Sequence, residues 1–353
     1  MTSSPPSRQV WFKTAALALA LVALAWTFRD VRVERVAGLL GRLGALGVVA
    51  VLACQAAAMT FDTLGFRAAF AMLGARANFR ALLWVRVATE ALVLAVPGGA
   101  VVAEPIKVPL LRRQAKLELT QAIAGVVARK YLLLAGQGLW IGLSALLRLF
   151  IVWRTHAPEQ LAGFVALVGL AGACVAGAAL LLRLLLSRGT IATRLKGWLG
   201  RVPSQVLRQK LLHSQVTFKK TDGKLAQFFA GRRSREAGAL LLFVGAWAAE
   251  TLETFLCLRL LGVELSFGVV ATMEVSMTLL RNVAFVVPAG IGIQDAGYAL
   301  FLRALGVADA TELAAAFTLL KRSKELALVA LGLGLLSTDQ ALQRRADAAA
   351  AIP

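Results

Sequence analysis

Charge is scarce in this chain, and acid is the scarcer kind. Of 353 residues 16% are charged, with 19 Asp+Glu against 39 Lys+Arg and a formal net charge of +20. A soluble domain of this length would carry far more polar surface. Cysteine is also rare. Cys54, Cys174 and Cys257 all lie in apolar runs with no CxxC, which excludes a disulfide framework and leaves small packing residues. His156 and His213 are too few and too far apart to suggest a metal site. HExxH, a nucleophile elbow and a metal-spaced acid cluster are absent, so no enzyme activity, metal or cofactor is expected. Gly290, Gly292 and Gly297 brush against a dinucleotide fingerprint but lack its spacing and its preceding strand. The alternation expected of a membrane β-barrel is missing too.

What remains is apolar and helical in pattern. The chain is 59% hydrophobic with a mean hydropathy of +0.73. Stretches 15–28 and 164–186 approach the roughly 20 apolar residues that a spanning helix needs. The expected class is an all-α polytopic membrane protein. Its basic residues gather between apolar segments, as in the cytoplasmic loops of an inner membrane, and there they attract anionic headgroups. No aromatic-interleaved basic motif accompanies the charge, so nucleic acid is not the expected partner.

The pattern divides the chain into five parts. Residues 1–42 form a membrane helix (13–28) and a linker. Its tryptophan- and arginine-bearing end, Trp26 to Arg29, is no cleavage site, so the helix is expected to stay. Residues 43–187 hold apolar segments 43–64, 81–96, 121–147 and 161–186. Residues 188–236 form a basic loop, read as cytoplasmic. Residues 237–337 hold segments 237–261, 267–287, 293–305 and 314–336, and residues 338–353 form a polar tail.

Two of these parts resemble each other. Val96-Pro97-Gly98-Gly99 followed by Glu104 recurs as Val287-Pro288-Ala289-Gly290 followed by Asp295, and both prolines and both acids are 191 residues apart (288 − 97; 295 − 104). Asp62-Thr63-Leu64 matches Glu250-Thr251-Leu252, Leu73-Gly74 matches Leu261-Gly262 and Phe79 matches Phe267, all at 188 (250 − 62). Arg129-Lys130 falls close to Lys321-Arg322. Proline removes a backbone donor, and glycine permits reversal and close approach. Each break is therefore read as a re-entrant hairpin. Its restarting helix points an N-terminus at a cavity, where an acid could cap it, carry protons or pair with an arginine. With the basic loop cytoplasmic, the two copies run in opposite senses, giving an inverted repeat of the kind found in secondary transporters.

Charges within apolar segments are costly, about 2.5–3.5 kcal/mol each on insertion scales, so they must face one another, a wet cavity or a headgroup. The candidate pathway comprises Pro97, Gly98, Gly99, Glu104, Arg129, Lys130, Arg281, Pro288, Gly290, Gly292, Asp295, Lys321 and Arg322, with Glu90, Glu250 and Glu274 behind them. Clustered arginines suit phosphate, whose oxygens match the guanidinium fork. Asp62, Glu253 and Lys324 read as structural charges that pair or snorkel.

The Pro97-Gly98-Gly99…Glu104 and Pro288…Gly290…Gly292…Asp295 blocks, with Arg129-Lys130 downstream, resemble the membrane domain of lysylphosphatidylglycerol synthase/flippase proteins over residues 43–336. The family's stand-alone relatives include some associated with hopanoid biosynthesis. Family members usually carry an arginine- or glutamate-bearing form of the second block, whereas this chain reads Ile293-Gln294-Asp295. The resemblance implies a flippase-like fold that moves or holds lipids with large headgroups. The aminoacyl-transferase domain of the full-length enzymes is not expected in this chain.

The leading expectation is thus a multi-pass protein of a bacterial-type inner membrane, moving or presenting a phospho-, polyprenyl- or hopanoid lipid. Its expected partners are membrane lipids with anionic headgroups, and lipid-biosynthesis enzymes; no oligomeric state is implied. A small-solute or ion transporter, or a non-transporting scaffold for lipid-modifying enzymes acting through the basic loop, stay open as alternatives.

Overall fold

The computed structural model describes residues 29, 31–155, 159–188, 215–283, 287 and 290–350. The expected first helix (13–28), His156, His213, most of the basic loop, and Pro288 with Ala289 lie outside them. The described residues form eleven helices and no strand: α1 Val33–Gly41, α2 Gly44–Met72, α3 Phe79–Ala95, α4 Gly99–Gln114, α5 Leu119–Thr155, α6 Glu159–Ser187, α7 Gln215–Ala230, α8 Arg233–Leu260, α9 Phe267–Val283, α10 Ile293–Ala304 and α11 Ala310–Ala350. Three stretches among them are long and apolar enough to cross a membrane: Gly44–Met72, Leu119–Arg148 and Arg233–Leu260.

Several helices outrun the apolar segments that announce them. Helix α2 continues past residue 64 to Met72 with Arg67 inside it, and α11 continues past residue 336 to Ala350. A charge does not end a helix; a left-handed residue does. Gly74 (φ +69°) closes α2 and Gly262 (φ +88°) closes α8. Three bonds correspond between the two ends. Leu73, Gly74 and Ala75 donate N–H bonds to the carbonyls of Ala69, Ala71 and Phe70, and Leu261, Gly262 and Val263 donate to those of Cys257, Arg259 and Leu258. Each bond recurs 188 residues on (261 − 73), and each set satisfies carbonyls that a helix end would leave orphaned. The Gly99 N–H to Val96 carbonyl bond likewise recurs between Gly290 and Val287. The sequence repeat is therefore also a repeat of backbone geometry.

The contacts fall into two compact units. One holds residues 1–54, 87–104 and 251–353, the other residues 55–86 and 105–250. In the first, Val36 of α1, Leu258 of α8 with Leu261 just beyond it, Val270 and Met273 of α9, Tyr298 and Leu302 of α10, and Ala314 and Phe317 of α11 share one buried core. In the second, α5 and α6 pack closely over small residues. A Cβ added to Gly138 would lie 2.9 Å from the Ala176 backbone, and one on Gly172 would lie 2.6 Å from Ile141. Such approach is how helices associate where lipid removes the hydrophobic drive. Helix α7, within the expected basic loop, lays Phe228 edge-on to Tyr131 of α5 and leaves Lys219 and Lys220 exposed.

Outward faces are apolar. Leu139, Leu143 and Leu146 of α5 are 53%, 54% and 65% exposed, whereas Gln137 and Ser144 on the same helix are buried. Helix α11 repeats the arrangement, with Leu319, Leu326 and Leu331 exposed. Water would penalise this inversion; a hydrocarbon surround favours it.

Candidate functional site

In the unit holding residues 251–353, α8, α9, α10 and α11 bring charge together. Lys321 Nζ donates to Glu274 Oε1 at 3.0 Å and to the Tyr298 hydroxyl oxygen at 2.7 Å. The Tyr298 hydroxyl donates to the same Glu274 oxygen at 2.8 Å, and so does the Thr254 hydroxyl. One carboxylate oxygen thus accepts from three side chains. The Lys321 ammonium also stands 4.9 Å from the Tyr298 ring centroid and 5.5 Å from that of Phe317, so the aromatic faces share in holding the cation.

One helical step along α11, Arg322 donates to Asp295 Oδ1 at 2.8 Å and to Glu325 Oε2 at 2.5 Å. Asp295 also accepts the Gly292 N–H at 2.8 Å. It therefore caps α10 and pairs with an arginine at once, two of the three roles open to it from the sequence. The cap needs Gly292 at φ +79°, a conformation that costs a side-chain-bearing residue dearly. Lys324, half-buried, pairs with the buried Glu253.

The unit holding residues 105–250 carries its own buried charges. Asp62 of α2 accepts from Arg129 of α5 through Nε (3.0 Å) and Nη2 (2.8 and 2.6 Å), and from Arg86 Nε of α3 at 2.6 Å. The Arg129 guanidinium also stands over the Phe66 ring, 5.4 Å from its centroid. Close by in sequence, the Tyr131 hydroxyl donates to Glu236 Oε1 and Arg183 donates to the same oxygen, each at 2.5 Å.

The repeat explains part of this pattern. Arg86 and Glu274 are 188 residues apart (274 − 86) and Arg129 and Lys321 are 192 apart (321 − 129). In one copy Arg86 and Arg129 both pair with Asp62; in the other Glu274 pairs with Lys321. At the offset of 188 the charge changes sign, from Arg86 to Glu274.

Other sequence candidates are placed differently. Glu104 and Asp295 share an offset but not a register: Glu104 is the sixth residue of α4 and Asp295 the third of α10. The helix starts differ: α4 begins two residues past Pro97 and α10 five residues past Pro288. Glu90, Glu104, Lys130, Glu250 and Arg281 are half-buried. Gly98 turns the chain at φ +69°. A Cβ on Gly99 would lie 2.2 Å from the Leu92 carbonyl oxygen, so only glycine fits there. Among the described residues no group of His, Cys, Asp and Glu is placed to hold a metal. Pro109, Arg112, Arg113, Lys116, Leu117 and Glu118 line an open groove of about 470 Å³ where α4 turns into α5.

Sequence reasoning missed Tyr131, Tyr298, Thr254 and Arg183 as partners. One signal was available: the chain has only two tyrosines, and each binds a buried glutamate. Apolar helices seldom pair a phenol with an acid unless a polar network requires it.

Apolar outward faces around buried ion pairs define a helical integral membrane protein. The chain belongs to the family described as the lysylphosphatidylglycerol synthase TM region, whose model matches residues 13–332. Comparison with curated proteins and with solved structures gives no match.

Proposed function

We propose that this protein is a multi-pass inner-membrane lipid transporter of the flippase type, which moves or presents an amphipathic lipid and makes or breaks no bond. The observation that carries the reading is the set of buried ion pairs, Asp62 with Arg86 and Arg129, Glu274 with Lys321 and Asp295 with Arg322, held in helices whose outer faces are leucine. An apolar solute would need none of them. A lipid phosphate can exchange with the carboxylates for the same arginines and lysines, because both present oxygens to the guanidinium fork.

On this reading the two copies are inverted, and the breaks at Pro97 and Pro288 are re-entrant hairpins entering from opposite faces. Family membership supports a lipid cargo, since the family's description names a phosphatidylglycerol derivative. The exposed lysines of α7 and the groove at Arg112, Arg113 and Lys116 would lie among anionic headgroups, where enzymes of lipid biosynthesis would also dock. The test is mass spectrometry of lipids that copurify with the protein, paired with translocation by the Glu104→Ala/Asp295→Ala double variant. Enriched acidic lipid and a folded but inactive variant are expected. Unchanged translocation by the double variant would remove both acids from the pathway.

A further inference from the structure

The buried acids of residues 251–353 are not equally satisfied. Glu274 Oε1 accepts from Thr254, Tyr298 and Lys321. Asp295 accepts from the Gly292 N–H and from Arg322. Glu253 accepts from Lys324 through Oε1, while its Oε2 is buried with no hydrogen-bond partner. Glu253 is 5% exposed. A buried carboxylate oxygen without a donor loses its hydration and gains nothing in return. The uncharged acid avoids most of that penalty.

The surroundings suit a group that changes charge. From α11, Lys324 and Lys321 face Glu253; from α2, Cys54 does; and Cys257 lies one turn along its own helix, itself within the fields of Lys321, Lys324 and Glu274 of α9. Lys324 is the cation hydrogen-bonded to the Glu253 carboxylate. Any anion that competes for Lys324 removes the carboxylate's one bonded cation.

We propose that Glu253 is a proton-binding site coupled to headgroup binding: a lipid phosphate that engages Lys324 displaces Glu253, which then takes a proton from water onto its unpartnered Oε2. The inference rests on the lipid-transport reading and deepens it. The step balances simply. One Oε2–H bond forms, the proton comes from hydronium, and the Lys324 ammonium passes from carboxylate to phosphate without changing its own charge. When the phosphate leaves, the proton returns to water and the Glu253–Lys324 pair re-forms. Lipid uptake would thus be proton-linked through a residue that the sequence reading set aside as structural.

Two measurements on the full chain test the step. In the first, infrared difference spectra of the detergent-purified protein are recorded with and without short-chain phosphatidylglycerol. A protonated-carboxyl stretch should appear on lipid addition in the wild type and vanish in Glu253→Gln. A band that persists undiminished in Glu253→Gln, or no band although lipid binds, overturns the proposal. In the second, translocation of tail-labelled phosphatidylglycerol is followed in phosphatidylcholine vesicles at several pH values. Wild-type rates should vary with pH, roughly tenfold across the range, and Glu253→Gln should flatten the profile while Glu253→Asp restores it. An unchanged profile in a folded Glu253→Gln protein contradicts the coupling. No translocation by the wild type at any pH refutes the transport reading itself, while the infrared result still decides whether Glu253 binds a proton.

Discussion

At the residue scale, function and stability share the same side chains. Asp62 pairs with two arginines, and Arg129 is nearly fully buried beside it. Asp62→Ala leaves both cations buried, so it should lower stability by about 3–5 kcal/mol, the usual cost of halving a buried pair. Thermal unfolding of the purified protein in detergent reads this directly; a loss below about 1 kcal/mol would show that the arginines find other anions. Tyr298→Phe removes one of three donors to Glu274 and should cost less, about 1.5–3 kcal/mol for a bond to a charged group. Most of these residues were legible from the sequence as charges in apolar surroundings. Their partners were not, because spacing along a helix gives depth in the membrane but not which neighbour a side chain faces. Asp62 and Glu253, read as structural, turned out to differ: the first accepts four hydrogen bonds, and the second has an oxygen that accepts none.

At the scale of elements, the turn between α3 and α4 makes the sharpest prediction. Gly98 has a positive φ but open space around its Cβ position, whereas a Cβ on Gly99 would strike the carbonyl oxygens of Leu92 and Val93 at 2.2 and 2.6 Å. Gly98→Ala should therefore cost about 1–2 kcal/mol of left-handed strain. Gly99→Ala should cost more, because the backbone itself must open. Size-exclusion profiles and unfolding temperatures of the two variants should rank in that order; equal behaviour would contradict the turn. The matching turns after α2 and α8 could be read in advance because Leu73-Gly74 recurs as Leu261-Gly262. Helix ends were harder. Sequence hydropathy stops α2 and α11 where charge begins, yet Arg67 continues α2 unbroken to Met72. The shared offset of Glu104 and Asp295 also concealed their different registers, since α4 starts at Gly99, two residues past Pro97, and α10 at Ile293, five past Pro288.

At the scale of the whole molecule, the transport reading requires the two copies to be inverted. Single cysteines introduced beside Pro97 and beside Pro288, in a background without Cys54, Cys174 and Cys257, should label from opposite faces of the membrane. Labelling from one face would remove the inversion, although the backbone repeat would stand. The central claim is lipid movement, and the most direct measurement is translocation of tail-labelled phosphatidylglycerol in vesicles that contain the full chain, beside vesicles containing Lys321→Gln. This variant keeps a hydrogen-bond donor on a side chain one atom shorter while removing the cation that Glu274 and Tyr298 hold. Wild-type vesicles should move the labelled lipid between leaflets well above protein-free vesicles, and Lys321→Gln should fall at least about tenfold below the wild type, equivalent to 1.4 kcal/mol. Movement in wild-type vesicles no faster than in protein-free ones would contradict the transport reading.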